Sequence, residues 1–211
     1  NYVSLAKNLG ISAFVVTQKP KIDCSYILVE NSLKALQLLT KKHREKFQIP
    51  IIGITGSNGK TIVKEWLSYL IKDSHFVCKN PKSYNSQIGV PLSVWQLRDE
   101  HTVGIFEAGI SKYNEMANLN NIIQPNIGVF TYIGDAHGNN FKSRRDKLLE
   151  KITLFKTCEV VICSNTQKEV IDEIHKAKLK TFSWGFDKSS NVIFKKNNTE
   201  NYTVQYLDKE V

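Results

Sequence analysis

The stretch Ile51–Trp66, IIGITGSNGKTIVKEW, sets an apolar run against a glycine-rich turn, then a lysine and a threonine. Ile49, Ile51, Ile52 and Ile54 are β-branched on both faces, the pattern of a short strand buried on both sides. After Thr61, the residues Ile62, Val63, Trp66, Leu67, Leu70 and Ile71 recur at three- and four-residue spacings. That predicts a helix with these six on one apolar face. A strand, a loop with Gly56 and Gly59, and a helix opening on Lys60-Thr61 is the layout of a phosphate cradle. Glycines let backbone N–H groups turn onto an anion at a helix N-terminus that already favours negative charge. The anion-binding residues expected on this reading are Gly56, Ser57, Asn58, Gly59, Lys60 and Thr61. A plain strand–turn–helix corner explains the glycines but gives no reason for Lys60 and Thr61. The core G-x-x-G-K-T is intact from Gly56 to Thr61. The longer pattern G-x-x-x-x-G-K-[ST] asks for a glycine where Ile54 stands, and Gly53 is one place early.

The 211 residues suffice for one large domain, or for one domain and a piece of another, and 41% hydrophobic content supports a packed core. The chain opens on NYVSLAKNLG, without a methionine or a signal peptide, so a piece of a longer protein is expected. No apolar stretch approaches the roughly 20 residues of a membrane span. Cys24, Cys78, Cys158 and Cys163 are scattered, with no C-x-x-C pair and no Cys/His cluster for zinc. Reduced thiols and a cytoplasmic location are the expectation. Lys and Arg number 29 against 20 Asp and Glu, a net charge of +9. A nucleic-acid face would cluster that charge with aromatics. Here the lysines are spread, many beside asparagine as in FKKNNTEN, so no nucleic-acid partner is expected. A basic surface would also suit a polyanionic nucleotide-sugar.

Residues 1–48 read as a small α/β unit: strands AFVVT and YILVE, then a helix NSLKALQLLTKKHREKF. That helix is capped by Asn31 or Ser32, with Leu33, Leu36 and Leu39 on its buried side. From residue 49 onward strands and helices alternate, which predicts an α/β fold with a mostly parallel sheet covered on both faces. The strands are PIIGIT, TVGIFEAG, NIGVFTYIG and EVVICSN. Past about residue 180, TFSWGF, NVIFKK and YTVQYL read as short strands of a hairpin or small antiparallel sheet. Glu107 ends one strand and His137 follows another. In open α/β sheets ligands bind at the carboxyl ends of strands, so the phosphate loop, Glu107 and His137 would open on one edge. A carboxylate and an imidazole near a loop threonine suit magnesium on a triphosphate. Taken alone, a strand-end glutamate is as compatible with surface, and a single histidine with a hydrogen-bonded loop.

GITGSNGKT, SYNSQIGVP (Ser83 to Pro91), EAGISKYNEM (Glu107 to Met116) and IGDAH with Lys151 downstream together resemble the Mur ligases of peptidoglycan synthesis. Within them the likeness is to the branch that adds D-alanyl-D-alanine to UDP-N-acetylmuramoyl-tripeptide. It resembles in particular the form in Bacteroidetes-type bacteria, often fused to an alanine racemase. The resemblance implies an ATP- and Mg2+-dependent ligase that activates a peptide carboxylate as an acyl phosphate for attack by an amine. It further implies that Lys60 contacts the β/γ-phosphates, that Thr61 and Glu107 hold one magnesium, and that His137 serves a second. Lys151, four residues before Phe155, matches a lysine carbamylated to make a further metal-binding carboxylate. Ser83, Tyr84, Asn85 and Ser86 lie in the segment that contacts UDP-N-acetylmuramoyl-peptide, where the common pattern is G-N-x-N-x-x-I-G-x-P. Lys82 and Ser83 stand for its Gly-Asn, and Ser86 for another Asn. By the same resemblance, 1–48 is the end of a UDP-binding domain. Residues 49–211 are then the central ATP-binding domain, incomplete at its C-terminus, with the acceptor-binding domain absent. Other Mur-type ligases (diaminopimelate-adding or folylpolyglutamate-like) and a nucleotide-binding piece without activity of its own stay open. The oligomeric state is not legible.

Overall fold

The structure is a computed structural model that describes residues 2–135, 140–197, 202–206 and 209–210. The chain opens with α1 (Tyr2–Asn8), β1 (Ala13–Val16), β2 (Ser25–Leu28) and α2 (Ser32–Arg44). β1 and β2 pair in parallel as a sheet of their own. Asn31 caps α2, its side chain accepting from Lys34 N at 2.9 Å, as a short polar residue at that place should. Leu33 and Leu36 are half-buried, but Leu39, expected on the packed side, is exposed. The face that packs is the one carrying Thr40 and Arg44.

The core elements follow as β3 (Ile51–Thr55), α3 (Lys60–Ile71), β4 (Val77–Lys79), α4 (Gly89–Val94) and β5 (Val103–Glu107). Next come α5 (Glu115–Ile123), β6 (Ile127–Phe130), α6 (Arg144–Ile152), a 3-10 turn Thr153–Phe155, β7 (Val160–Ser164) and α7 (Lys168–Lys176). β8 (Thr181–Gly185), β9 (Val192–Lys196), β10 (Tyr202–Tyr206) and β11 (Lys209–Glu210) complete the described chain. Among the described residues β3 to β11 form a nine-stranded sheet in the order β11-β10-β9-β8-β7-β6-β3-β5-β4. The parallel sheet and the antiparallel strands at the C-terminal end are both present. The antiparallel pairing begins at β9–β10. TFSWGF, read as part of a hairpin, is instead β8, the parallel neighbour of β7 and of β9.

The larger core lies on the face covered by α4, α5 and the 3-10 turn, with Phe106, Met116, Leu119, Ile123, Leu154 and Phe155 all fully buried. Arg44 ties the first unit to this layer. Its guanidinium donates to Ile123 O (2.9 Å) and Gln124 O (3.1 Å), carbonyls that the end of α5 leaves without a helical partner. On the other face α3 packs over β3 and β5 through Val63, Leu67 and Ile71. The other half of its expected apolar face does not pack: Ile62, Trp66 and Leu70 are exposed. Trp66 and Leu70 line an open groove with Val129, Ile162 and Trp184. Gly53 is explained by packing, because a Cβ there would stand 2.8 Å from the Pro125 ring. The strand order turns at β3, whose neighbours β5 and β6 come from opposite directions of winding. The loop after β3 therefore sits at the topological switch point.

Candidate functional site

The sequence leaves β3 through Gly56, at φ +150, and enters α3 through Gly59, at φ +81. A side chain at residue 56 is excluded, since its Cβ would lie 2.0 Å from Thr131 Oγ1. The loop is pinned from the exit of β6. Thr131 Oγ1 donates to Asn58 O (2.6 Å), Ser57 N to Tyr132 O (2.6 Å) and Gly134 N to Ser57 Oγ (3.1 Å). A loop held in this way keeps its shape before any anion arrives, which lowers the cost of binding one.

Beside this loop opens a cavity of about 810 Å³ lined by Gly56, Ser57, Asn58, Lys60, Lys147 and Lys151. Its lining also includes Asn85, Ser86, Gln87, Ser111, Glu115 and Asp135. Lys60 Nζ donates to Gly56 O (3.0 Å) and Ser57 O (3.4 Å), and Lys151 Nζ to the same Gly56 O (3.0 Å). Lys147 Nζ donates to Asp135 O at 3.0 Å. Burial and the neighbouring Lys60 and Lys147 pull the Lys151 amine down to about 7 from its usual 10.5. Burial likewise lowers Lys60, with Lys147 adding to the effect and Glu107 opposing it. Lys147 is lowered too, chiefly by burial. Three amines facing one cavity, offset by Glu107 beside Lys60 and Asp135 beside Lys147, give it a basic wall of a kind that suits a polyanion.

Glu107 is not the surface residue that a strand end usually provides; it is 0% exposed. Thr61 Oγ1 donates to its Oε2 at 2.8 Å and Asn85 Nδ2 to its Oε1 at 3.3 Å. Among the described residues no Lys, Arg or His comes within ion-pair distance of it. A buried carboxylate hydrogen-bonded by neutral donors beside a threonine hydroxyl has the chemistry of a hard-cation site, and magnesium fits it. Among the described residues no three His, Cys, Asp or Glu side chains gather as a ready metal cluster. His137 lies outside the described residues.

Ser143 caps α6 and accepts from Asp146 N at 3.0 Å. In sequence, the helix from about Ser143 to Phe155 has Leu148, Leu149, Ile152 and Phe155 available for its buried face; Leu148, Ile152 and Phe155 are buried, whereas Leu149 is exposed. Lys151, 3% exposed, reaches the phosphate loop. In the segment 83–86, Asn85 and Ser86 line the cavity, while the Ser83 and Tyr84 side chains are exposed and outside its lining. Lys82, standing where the resemblance has glycine, adopts φ +51.

Sequence reasoning missed Lys64, Asn80 and Lys147. Lys147 shares the helix face of Lys151 by the i,i+4 relation, a signal that was there to be used. Asn80 carries none: only the fold shows its side chain accepting from Glu107 N (2.7 Å) and donating to Tyr84 O (2.7 Å).

Residues 54–209 match the Mur ligase middle domain. The chain belongs to the Mur ligase family. Over 132 residues it is 39% identical to the UDP-N-acetylmuramoyl-tripeptide–D-alanyl-D-alanine ligase of Buchnera aphidicola, covering 63% of this chain and 29% of that one. A ligase of the same name from Rickettsia prowazekii is 28% identical over 217 residues, covering 98% of this chain and 48% of its own. The chain thus spans about half the length of this Mur ligase relative, and less of the Buchnera one. The crystal structure of the MurF ligase from Thermotoga maritima, a complex with ADP, shares the fold with a TM-score of 0.87 at 23% identity. It covers 100% of this chain and 50% of that one. Among the described residues of this Mur ligase chain, no helix is long and apolar enough to cross a membrane.

Proposed function

We propose that this chain is the ATP-binding part of a cytoplasmic ligase of peptidoglycan precursor synthesis. The ligase adds D-alanyl-D-alanine to UDP-N-acetylmuramoyl-tripeptide through an acyl phosphate. The observation that carries this reading is the convergence of Lys60 and Lys151 on Gly56 O beside the Thr61–Glu107 pair. The names of its relatives supply the substrates. Residues 49–211 belong to the central ATP-binding domain, and 1–48 to the UDP-binding domain.

Phosphoryl transfer asks a protein for positioning and charge more than for a nucleophile. The loop Gly56–Gly59 offers its N–H groups to the ATP phosphates, and Lys60 exchanges its bonds to the loop carbonyls for the β/γ-phosphates. Thr61 and Glu107 would hold a magnesium ion, which supplies charge neutralisation on the phosphate oxygens. Asn85 and Ser86, in the cavity lining, face the muramoyl-peptide, with Ser83 and Tyr84 at its margin. His137 is assigned to a second metal by resemblance alone. Lys151 in its neutral form can add carbon dioxide: an N–C bond forms, one proton leaves, and the neutral amine becomes an anionic carbamate; counted from the ammonium, two protons leave and a cation gives way to an anion. Its position among cations favours that exchange of sign.

The experiment is to assay the full-length protein for phosphate release with ATP and UDP-N-acetylmuramoyl-tripeptide, comparing D-Ala-D-Ala with other amine acceptors. Release dependent on D-Ala-D-Ala supports the reading. Release with a different acceptor moves the chain to another Mur-type activity, and no release with any acceptor overturns it.

A further inference from the structure

Lys64 lies one turn beyond Lys60 on α3 and is 0% exposed. Its ammonium donates to Asn80 O (2.8 Å) and to Lys82 O. It also stands 3.1 Å from Glu65 Oε1, whose other oxygen pairs with Lys79. The loop 80–86 that it grips is the one that touches the carboxylate site. Asn80 Oδ1 accepts from Glu107 N, Asn85 Nδ2 donates to Glu107 Oε1, and Gly109 N donates to Asn85 O at 2.8 Å.

A fully buried ammonium is costly, and a helix packing on a sheet has no need of one. α3 already packs through Val63, Leu67 and Ile71. An apolar side chain at 64 would fill the same volume without desolvating a charge. What only the lysine supplies is several donors at one point, spent on carbonyls of a loop that has no strand or helix ladder to satisfy them.

We propose that Lys64 is a positioning residue for the ligation. It locks the loop 80–86 to the phosphate-loop helix, so that Asn85 and Glu107 keep their relation to Thr61 when anions fill the cavity. Lys64 touches no substrate; it acts through Asn80 and Lys82. The inference rests on the ligase reading above for its catalytic consequence, and on the loop geometry alone for its structural one.

The test is Lys64→Met in the full-length protein, which keeps length and volume and removes the donors. Amide hydrogen exchange should rise about tenfold or more in residues 80–86 and at Glu107, with β3 and β6 unchanged. The kcat should fall roughly 10- to 100-fold, as for a small misplacement of reacting groups. KM for the muramoyl-tripeptide should rise, and the magnesium concentration for half-maximal rate should rise with it, since Glu107 loses its fixed relation to Thr61. Wild-type exchange in the loop, or a uniform rise across β3, β6 and α3, overturns the proposal. If Lys64→Met does not fold, Lys64→Gln, which retains an amide donor, must show the same loop-selective exchange at smaller size. A uniform change there overturns it equally. Should the wild-type protein lack ligase activity, the exchange experiment still decides the role of Lys64, and only the ligase reading fails.

Discussion

Lys60 and Lys151 donate to one oxygen, Gly56 O, each at 3.0 Å, although the two lysines stand 91 positions apart in the chain. Lys151 is buried and Lys60 half-buried, and their two amines share one carbonyl. Burial of Lys151 above all, and then the neighbouring Lys60 and Lys147, make the folded protein bind its proton less well than the unfolded chain does. With its amine near 7 when folded and 10.5 otherwise, the stability cost is fully present below about pH 7. It is relieved as pH rises toward the usual lysine value, because the unfolded state binds more protons throughout that window. In carbon-dioxide-depleted buffer, stability against urea should rise with pH above neutrality by at most about 1.4 kcal/mol per unit. Lys151→Met should flatten that slope. Added bicarbonate at mildly alkaline pH should stabilise wild type and leave Lys151→Met where it was. A flat wild-type profile would show that Lys151 is not held as a free buried amine.

Glu107→Gln keeps volume and can still accept from Thr61, but it removes the charge that a hard cation needs. The magnesium concentration for half-maximal phosphate release by the full-length protein should rise at least about tenfold, a loss of about 1.4 kcal/mol. Magnesium titration of both forms checks this. An unchanged titration would leave Glu107 as a structural anchor for Thr61 and Asn85.

Lys60 lies against its own loop, through Gly56 O and Ser57 O, and supplies nothing to the hydrophobic core. Lys60→Ala should leave the thermal transition within a few degrees of wild type. It should cost on the order of 10²–10³ in kcat, as for other preorganised contacts to developing charge. Near wild-type turnover in this variant would remove the nucleotide reading of the loop.

The strand, glycine turn and helix of β3–α3 were legible because glycine, lysine and threonine at fixed spacing have few other reasons to occur together. Glu107 and Lys151 were legible only as positions: nothing local distinguishes a strand-end glutamate or a helix lysine from a solvated one. Their burial comes from β5 lying beside β3 and from α6 folding back on the loop. Leu39, Leu149, Ile62, Trp66 and Leu70 were misplaced for a related reason. Periodicity locates an apolar stripe but not how wide a strip the neighbouring layer covers. Lys64 defeats composition altogether, since a lysine is read as surface until the carbonyls of Asn80 and Lys82 are seen to surround it. TFSWGF was read as antiparallel because short strands near polar turns suggest hairpins, whereas α7 carries the chain over to a parallel position.

The Mur ligase pattern has glycine where this chain has Lys82, and the backbone explains the preference. Lys82 sits at φ +51, the left-handed region, with an exposed side chain and its carbonyl held by Lys64. A residue with a Cβ gives up roughly 1–2 kcal/mol there, while glycine recovers this less about 0.5–1 kcal/mol of extra chain entropy. Lys82→Gly should therefore stabilise the protein by about 0.5–1 kcal/mol. In a chain of this size that is about 1–4 °C in thermal midpoint. The carbonyl that Lys64 grips is kept, so ligation kinetics should not change. A lower midpoint for Lys82→Gly would mean that the lysine side chain makes a contribution larger than the backbone cost it imposes.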